Sequence, residues 1–275
     1  MTGTGSRTAT APAKVNLALV VGPLRGDGRH EVVTLLQRVE LTDEITVRRA
    51  ERVAVDGYAD DSIVRAGLDL VLAATGVAFA ARIRKEIPVA AGLAGGSSDA
   101  ATALVLANEL LPDPLGRSEL HALAARLGSD VPFFLADGPQ LGVGDGSELA
   151  PQPLPQAFAV VLALPHGAVK ASTASVYRAF DTRGGHEGFA ERRARLLDAL
   201  AAVTAPSDLA SLPLNDLASS PVADELRALG AFRADVTGAG PVVYGLFEDE
   251  ARAAGAAAAL QARARTWVTR PRWYR

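Results

Sequence analysis

The segment Pro88-Val-Ala-Ala-Gly-Leu-Ala-Gly-Gly-Ser-Ser98 carries the most informative chemistry in the chain. Gly92, Gly95 and Gly96 let the backbone come close to a ligand and turn its N–H groups toward it. Ser97 and Ser98 add hydroxyl donors. Asp99 to Leu111 behind it is alanine-rich and predicts a helix, with Ser97 or Ser98 as N-cap and Pro112 just past its end. A helix start contributes unpaired amides and a partial positive charge of about +0.5. The result is a phosphate cradle of neutral donors. It has neither the lysine of a Walker A loop nor the glycine spacing of a Rossmann turn. The same residues could also make a plain serine-capped glycine turn.

Three further strings carry candidate groups. Lys14, one of three lysines with Lys85 and Lys170, lies in Ala11-Pro-Ala-Lys-Val-Asn-Leu17, on the same strand face as Asn16. A charge inside an apolar strand needs a partner or a ligand, or else protects a sheet edge. Asp130, in Gly128-Ser-Asp-Val-Pro-Phe-Phe134, stands at the mouth of an expected buried strand; it could also be a turn aspartate bonding its own backbone. Thr237-Gly-Ala-Gly-Pro241 is a second glycine turn, which either wraps a ligand or only reverses the chain. The four histidines, His30, His121, His166 and His186, show no metal or triad spacing, and Ser97 is not in a Gly-x-Ser-x-Gly elbow.

Positioning these groups takes a mixed set of elements. Alternation from Ala13 to Val21 predicts a strand with Val15, Leu17, Leu19 and Val21 on one face and Lys14, Asn16 and Ala18 on the other. Gly22 to Gly28 reads as a loop. Strands are expected at 32–41, 44–47, 53–55, 79–83, 131–135 and 140–143, and helices at 62–74 (stripe Ile63, Ala66, Leu70, Ala73) and 118–127, the latter capped by Ser118. Pro151, Pro153 and Pro155 make a stiff connection, which divides the chain into 1–150 and 151–275. In the second part, strands are expected at 158–164, 234–236, 242–247 and 266–268, and helices at 172–180, 188–203, 222–229 and 251–265. The class is α+β, in two domains.

Composition bounds the rest. The chain has 275 residues, 49% hydrophobic, enough for more than one compact core. Its net charge of -3 gives no global field for nucleic acid or an anionic membrane. Zero cysteines exclude disulfides, thiolate metal sites and cysteine nucleophiles. Met1 to Thr10 lacks the apolar core of a signal peptide, and the run Ala157 to Leu164 is far short of the roughly 20 residues that span a bilayer. These features predict a soluble, cytoplasmic protein.

The four strings, in this order, resemble the GHMP kinase superfamily: an N-terminal lysine strand, a Pro-x-x-x-Gly-Leu-x-Gly-Gly-Ser-Ser phosphate loop and a late Ser/Thr-Gly-x-Gly-Pro turn. The resemblance runs from residue 11 to about 247. It implies a ribosomal-protein-like N-terminal domain, a ferredoxin-like C-terminal domain, and transfer of the γ-phosphoryl group of ATP, with Mg²⁺, to a substrate hydroxyl. ATP would lie over Pro88, Val89, Ala90, Ala91, Gly92, Leu93, Ala94, Gly95, Gly96, Ser97 and Ser98, with Asn108 near the nucleotide pocket. Asp130 would be the base and Lys14 its partner; Asn16, Thr237 and Gly238 would help place the acceptor. The resemblance also implies a small-molecule substrate and a monomer or homodimer. No protein metal ligand is implied.

Asp27-Gly-Arg-His-Glu31 and Asn215-Asp-Leu217 add a resemblance to the branch that phosphorylates the 2-hydroxyl of a cytidine diphosphate-linked methylerythritol in isoprenoid precursor synthesis. It implies that His30 and Tyr177 bracket the cytosine. Arg29 stands where a tyrosine usually stacks on that base; a guanidinium plane can also stack there. Ser62 replaces a usual asparagine near the adenine, and Asp145 falls where an arginine is common. The alternatives within the superfamily are homoserine, mevalonate-type or sugar kinases and, outside catalysis, a nucleotide-binding relative.

Overall fold

The computed structural model describes residues 5–168 and 172–273. Lys170 lies outside them, as do Met1 to Thr4. In chain order the elements are β1 (Ser6–Leu24), β2 (His30–Arg49), β3 (Ala54–Asp56), α1 (Ile63–Thr75), β4 (Phe79–Arg84), α2 (Gly95–Glu109), α3 (Arg117–Leu127), β5 (Gln140–Val143), β6 (Glu148–Pro151), β7 (Ala159–Pro165), α4 (Thr173–Thr182), α5 (Phe189–Ala201), α6 (Pro221–Ala228), β8 (Arg233–Val236), β9 (Val243–Phe247), α7 (Glu250–Leu260), β10 (Ala264–Thr269) and β11 (Pro271–Arg272). Two 3-10 turns, Pro132–Leu135 and Pro206–Ser211, complete the set. This is the α+β class expected.

β2 organises the first sheet. β1 pairs antiparallel along most of one edge. The other edge takes β5 at Thr34–Leu36, β11 at Arg38 and Val39, and β4 at Glu44–Arg49. The second sheet has the order β10-β7-β9-β8, all antiparallel. The chain leaves the first sheet after β6, builds the second, and returns to the first through β11.

The core explains how the layers stack. Leu36, Ile45 and Val47 of β2 pack with Val64, Leu68 and Val71 of α1, Leu104 of α2 and Phe133 on one face of the first sheet. Val15, Leu17 and Leu35 on its other face pack with Val160, Leu162, Tyr244 and Leu246 of the second sheet and with Leu196 and Leu200 of α5. The two sheets therefore share an interior, and β1, a strand of the first sheet, is buried over residues 11–22. Its link to the second sheet is also polar: Tyr244 donates to the Leu17 carbonyl at 3.0 Å and accepts from Arg233 at 2.8 Å.

Several elements differ from expectation for identifiable reasons. The two strands expected at 32–41 and 44–47 are one strand, because nothing at Thr42-Asp43 breaks the extended backbone and β1 pairs across it. The buried stripe of α1 is Val64, Gly67, Leu68 and Val71, about one position from that expected. Helix α2 begins four residues early: its N-cap is Ala94, in the left-handed region at φ 52°, so Ser97 and Ser98 lie inside the first turn. Gly116, not Ser118, caps α3, and its N–H donates to Glu119 at 2.9 Å. The strand expected at 131–135 is a 3-10 turn, since Pro132 has no N–H for a ladder. α7 stops at Leu260, and the chain turns into β10.

Candidate active site

A cleft of about 510 Å³ opens between the phosphate loop, β1 and the glycine turn of the second unit. Lys14 and Asn16 enter it from β1, Pro88 to Gly92 and Ala94 to Ser97 from the loop, Asp130 from the segment before the 3-10 turn, and Gly238 to Gly240 from the far side. Tyr177 of α4 also lines it.

Tight packing fixes the loop. Gly92 has φ +87°, and a Cβ there would lie 2.4 Å from the Thr237 carbonyl oxygen. The Leu93 carbonyl accepts from the Lys14 N–H at 3.1 Å, and the Ala91 carbonyl from Val242 N–H at 3.2 Å. The loop is thus threaded between β1 and the 237–241 turn. Asn215 holds that turn from behind, donating to the carbonyls of Val236 at 2.9 Å and Gly238 at 2.7 Å. Past Ala94 the first amides of α2 have no intrahelical acceptor, and the helix start is where an anion is stabilised.

Lys14, buried on β1, donates to Asn16 Oδ1 at 2.6 Å and to the Gly92 carbonyl at 3.3 Å, and its Nζ lies 3.8 Å from Asp130 Oδ2. Asn16 is held in turn: its Nδ2 donates to Thr34 at 2.8 Å and its N–H to the Thr237 hydroxyl at 3.0 Å. Residues from both ends of the chain meet here. A carboxylate that can take a proton and an ammonium that can offset charge stand across the cleft from a set of anion-binding amides.

The structure assembles Lys14, Asn16, Pro88, Val89, Ala90, Ala91, Gly92, Ala94, Gly95, Gly96, Ser97, Asp130, Tyr177 and Gly238 around this cleft. Thr237, fully buried, stands one hydrogen bond behind it. Other expectations need correction. Leu93 and Ser98 are buried behind the loop, Leu93 in the apolar interior shared with the second sheet and Ser98 in the first turn of the early-starting helix. Asn108 is at the other end of α2, about 20 Å from the loop at 1.5 Å per residue. It exchanges hydrogen bonds with the Leu115 backbone at 2.7 and 3.1 Å, and so braces the α2–α3 connection. Arg29 does not line the cleft; it pairs with Asp145, which does. His30 and Tyr177 are already in contact, ring centroids 4.7 Å apart, so no base fits between them; they form one stacked wall, tied by His30 Nε2 to Asp181 at 2.7 Å.

Sequence reasoning missed a charge cluster at the foot of the loop, where Lys85 and Asp99 also line the cleft. Lys85 donates to Asp43 and, at 2.7 Å, to Asp99 Oδ2. Asp43 also accepts the Glu86 and Ile87 N–H groups, at 2.6 and 2.8 Å. Burial, aided by the Asp43 charge, pushes the Asp99 carboxyl up to about 7 against the pull of Lys85. Lys85 itself is raised: burial lowers it, and the two carboxylates outweigh that. The signal was present as Lys-x-x-Pro before the glycines, but Asp43 and Asp99 are far from it in sequence. Burial likewise pushes the Tyr177 phenol up to about 12, with the Asp130 charge adding to it, so the phenol keeps its proton near neutral pH.

This fold and this site define a small-molecule kinase of the GHMP type. The family description "GHMP kinases N terminal domain" matches residues 62–138, and "GHMP kinases C terminal" matches 187–266. A 4-diphosphocytidyl-2-C-methyl-D-erythritol kinase of Thermobifida fusca is 39% identical over 94% of this chain and 92% of its own. One of Mycolicibacterium gilvum is 40% identical over 86% of this chain and 81% of its own. The crystal structure of a 4-(cytidine 5'-diphospho)-2C-methyl-D-erythritol kinase superposes with a TM-score of 0.79, at 32% identity, covering 96% of this chain and 99% of that one. The chain belongs to the GHMP kinases and, within them, to the 4-diphosphocytidyl-2-C-methyl-D-erythritol kinase family. Among the described residues no helix is long and apolar enough to cross a membrane.

Proposed function

We propose that this kinase transfers the γ-phosphoryl group of ATP to the 2-hydroxyl of 4-diphosphocytidyl-2-C-methyl-D-erythritol, in the cytoplasm, as a step of isoprenoid precursor synthesis. The observation that carries the reading is the Lys14–Asp130 pair facing the phosphate loop across one cleft lined from both units. The relatives of about 40% identity supply the acceptor.

The acceptor oxygen attacks the γ-phosphorus while the bond to the β–γ bridging oxygen breaks. The hydroxyl proton passes to Asp130, and ADP leaves. Phosphoryl transfer goes through a loose transition state in which the proton departs late, so Asp130 mainly orients the hydroxyl. Lys14 offsets charge on the attacking oxygen. The loop amides hold the triphosphate in line, the larger share of the rate gain.

Mg²⁺ fits this donor set. Among the described residues no group of three or more His, Cys, Asp or Glu side chains could hold a metal alone. Magnesium on a nucleotide needs only one or two protein carboxylates beside phosphate oxygens and water, and the cleft lining offers carboxylates besides the proton acceptor Asp130, Asp60 and Asp61 among them, that would hold it. The ion would neutralise triphosphate charge.

The test is a panel of alcohols offered with Mg-ATP to purified protein. Steady ADP release with the cytidine diphosphate-linked methylerythritol, and none with homoserine, mevalonate or sugars, is the expected result. Preference for any of the other alcohols would reassign the acceptor.

A further inference from the structure

Arg38 is fully buried, an unusual place for a guanidinium, and Cα pairing in the β1–β2 ladder sets it directly opposite Lys14. Directly paired residues of an antiparallel ladder send their side chains to the same sheet face. Leu36, two residues back on β2, packs beside Phe133 on that face. From it, Lys14 Nζ reaches to 3.8 Å from Asp130 Oδ2. Arg38 Nη2 donates to the Phe133 carbonyl at 2.7 Å and to the Ala136 carbonyl. Its guanidinium carbon lies 5.0 Å from the Phe133 ring centroid and 5.9 Å from that of Phe134.

We propose that Arg38 is a positioning residue for the phosphoryl transfer, fixing the 3-10 turn that directly follows Asp130 and so setting the Asp130 carboxylate in its place beside Lys14. One cross-strand pair of cations thereby holds both ends of a single short segment, one by its acid and the other by its carbonyls. The segment needs such a tie. A 3-10 turn has poorer hydrogen-bond geometry than an α-helix, and here the Phe133 carbonyl also accepts the Ala136 N–H at 3.2 Å. Asp130, its side chain 43% exposed, reaches into an open cleft, so its position follows from the backbone beneath it. Packing alone does not call for an arginine, since an apolar side chain of similar volume fills such a site without desolvating a charge.

The inference rests on the kinase reading above, and its test separates the two. Wild-type ADP release with the acceptor establishes the reading; the inference concerns only ratios of variants to wild type. Arg38→Met keeps the side-chain length and removes the donors. Its kcat is expected to fall about 10- to 100-fold, the cost of a displacement near 1 Å, while the KM for Mg-ATP stays within about threefold. In an Asp130→Ala background, Arg38→Met should lower the remaining rate little further, because the group it positions is gone. Arg38→Lys keeps the charge but loses the fork; it should fold, show an intermediate kcat, and decide the question where Arg38→Met does not fold. A folded Arg38 variant with wild-type kcat would overturn the proposal. So would an equal loss of rate in the wild-type and Asp130→Ala backgrounds.

Discussion

Lys14 Nζ and Asp130 Oδ2 face each other at 3.8 Å, although one side chain is almost wholly buried and the other is 43% exposed. That asymmetry suits the roles proposed for them. The lysine is fixed by Asn16 and the Gly92 carbonyl, whereas the aspartate presents its carboxylate to the cleft. Asp130→Ala should reduce kcat by at least the ~10² to 10⁴ of general-base catalysis and leave the KM for ATP nearly unchanged. Lys14→Met should add little on top of it, because the two act as a unit. Steady-state kinetics of the two single variants and the double variant check this; additive losses would contradict it.

Gly92 sits where the phosphate loop passes the second unit's turn. Alanine there adds a Cβ 2.4 Å from a backbone oxygen at a φ of +87°, so neither side can yield cheaply. Gly92→Ala should lower the melting temperature and weaken ATP binding together, because loop and turn must separate. Gly26→Ala, whose Cβ meets nothing within 4 Å, is the control. Differential scanning fluorimetry with and without ATP reads both effects; a Gly92→Ala protein as stable and as ATP-responsive as wild type would refute the packing account.

Much of this was legible in the sequence, for physical reasons. The strand bearing Lys14 and Asn16 showed in its alternation, and the phosphate loop in its glycines and serines, because both signals are local. Asp130 stood out from its neighbours, but its backbone did not: Pro132 forbids a ladder donor, and apolar composition alone suggested a strand. The helix start was misplaced because serine is a favoured N-cap, whereas tertiary contacts here hold Ala94 in the left-handed region. Asp43, Lys85 and Asp99 were illegible because three separate elements bring them together. Asn108 was misplaced because the resemblance set it near the nucleotide, whereas it lies at the far end of the rigid helix α2 and holds the Leu115 backbone.

The cluster under the loop gives stability a distinctive pH dependence. The Asp99 carboxyl is near 7 folded and 3.8 unfolded, so between those values the folded state holds a proton that the unfolded chain has lost. Stability from this group therefore falls as pH rises from about 4 to about 7, and is level on either side. Lys85, raised from 10.5, contributes stability that is present below 10.5 and lost only above that range, outside this window. Asp99→Asn cannot ionise, so its stability relative to wild type should improve with pH, by on the order of 1 kcal/mol per pH unit at most. Urea denaturation of both proteins at pH 4.5, 6 and 8 measures the difference; parallel stabilities would remove Asp99 as the source.

Arg29 and Asp145 form an ion pair at the rim, one side chain 56% exposed and the other 11%. Burial would raise Asp145, but the Ser147 hydrogen bonds and Arg29 outweigh it and hold the carboxyl below its usual range. With His30 and Tyr177 closed on each other, the Arg29 guanidinium is a planar group paired to Asp145, which lines the cleft together with Gly146, Thr173 and Tyr177. If it supplies a stacking face for the acceptor base, Arg29→Ala should raise the acceptor KM several-fold, Arg29→Tyr should restore it, and the KM for ATP should not move. Asp145→Asn should have a smaller effect, and high salt should shrink it further. Arg29→Tyr behaving like Arg29→Ala would show instead that the pair only ties two surface turns together.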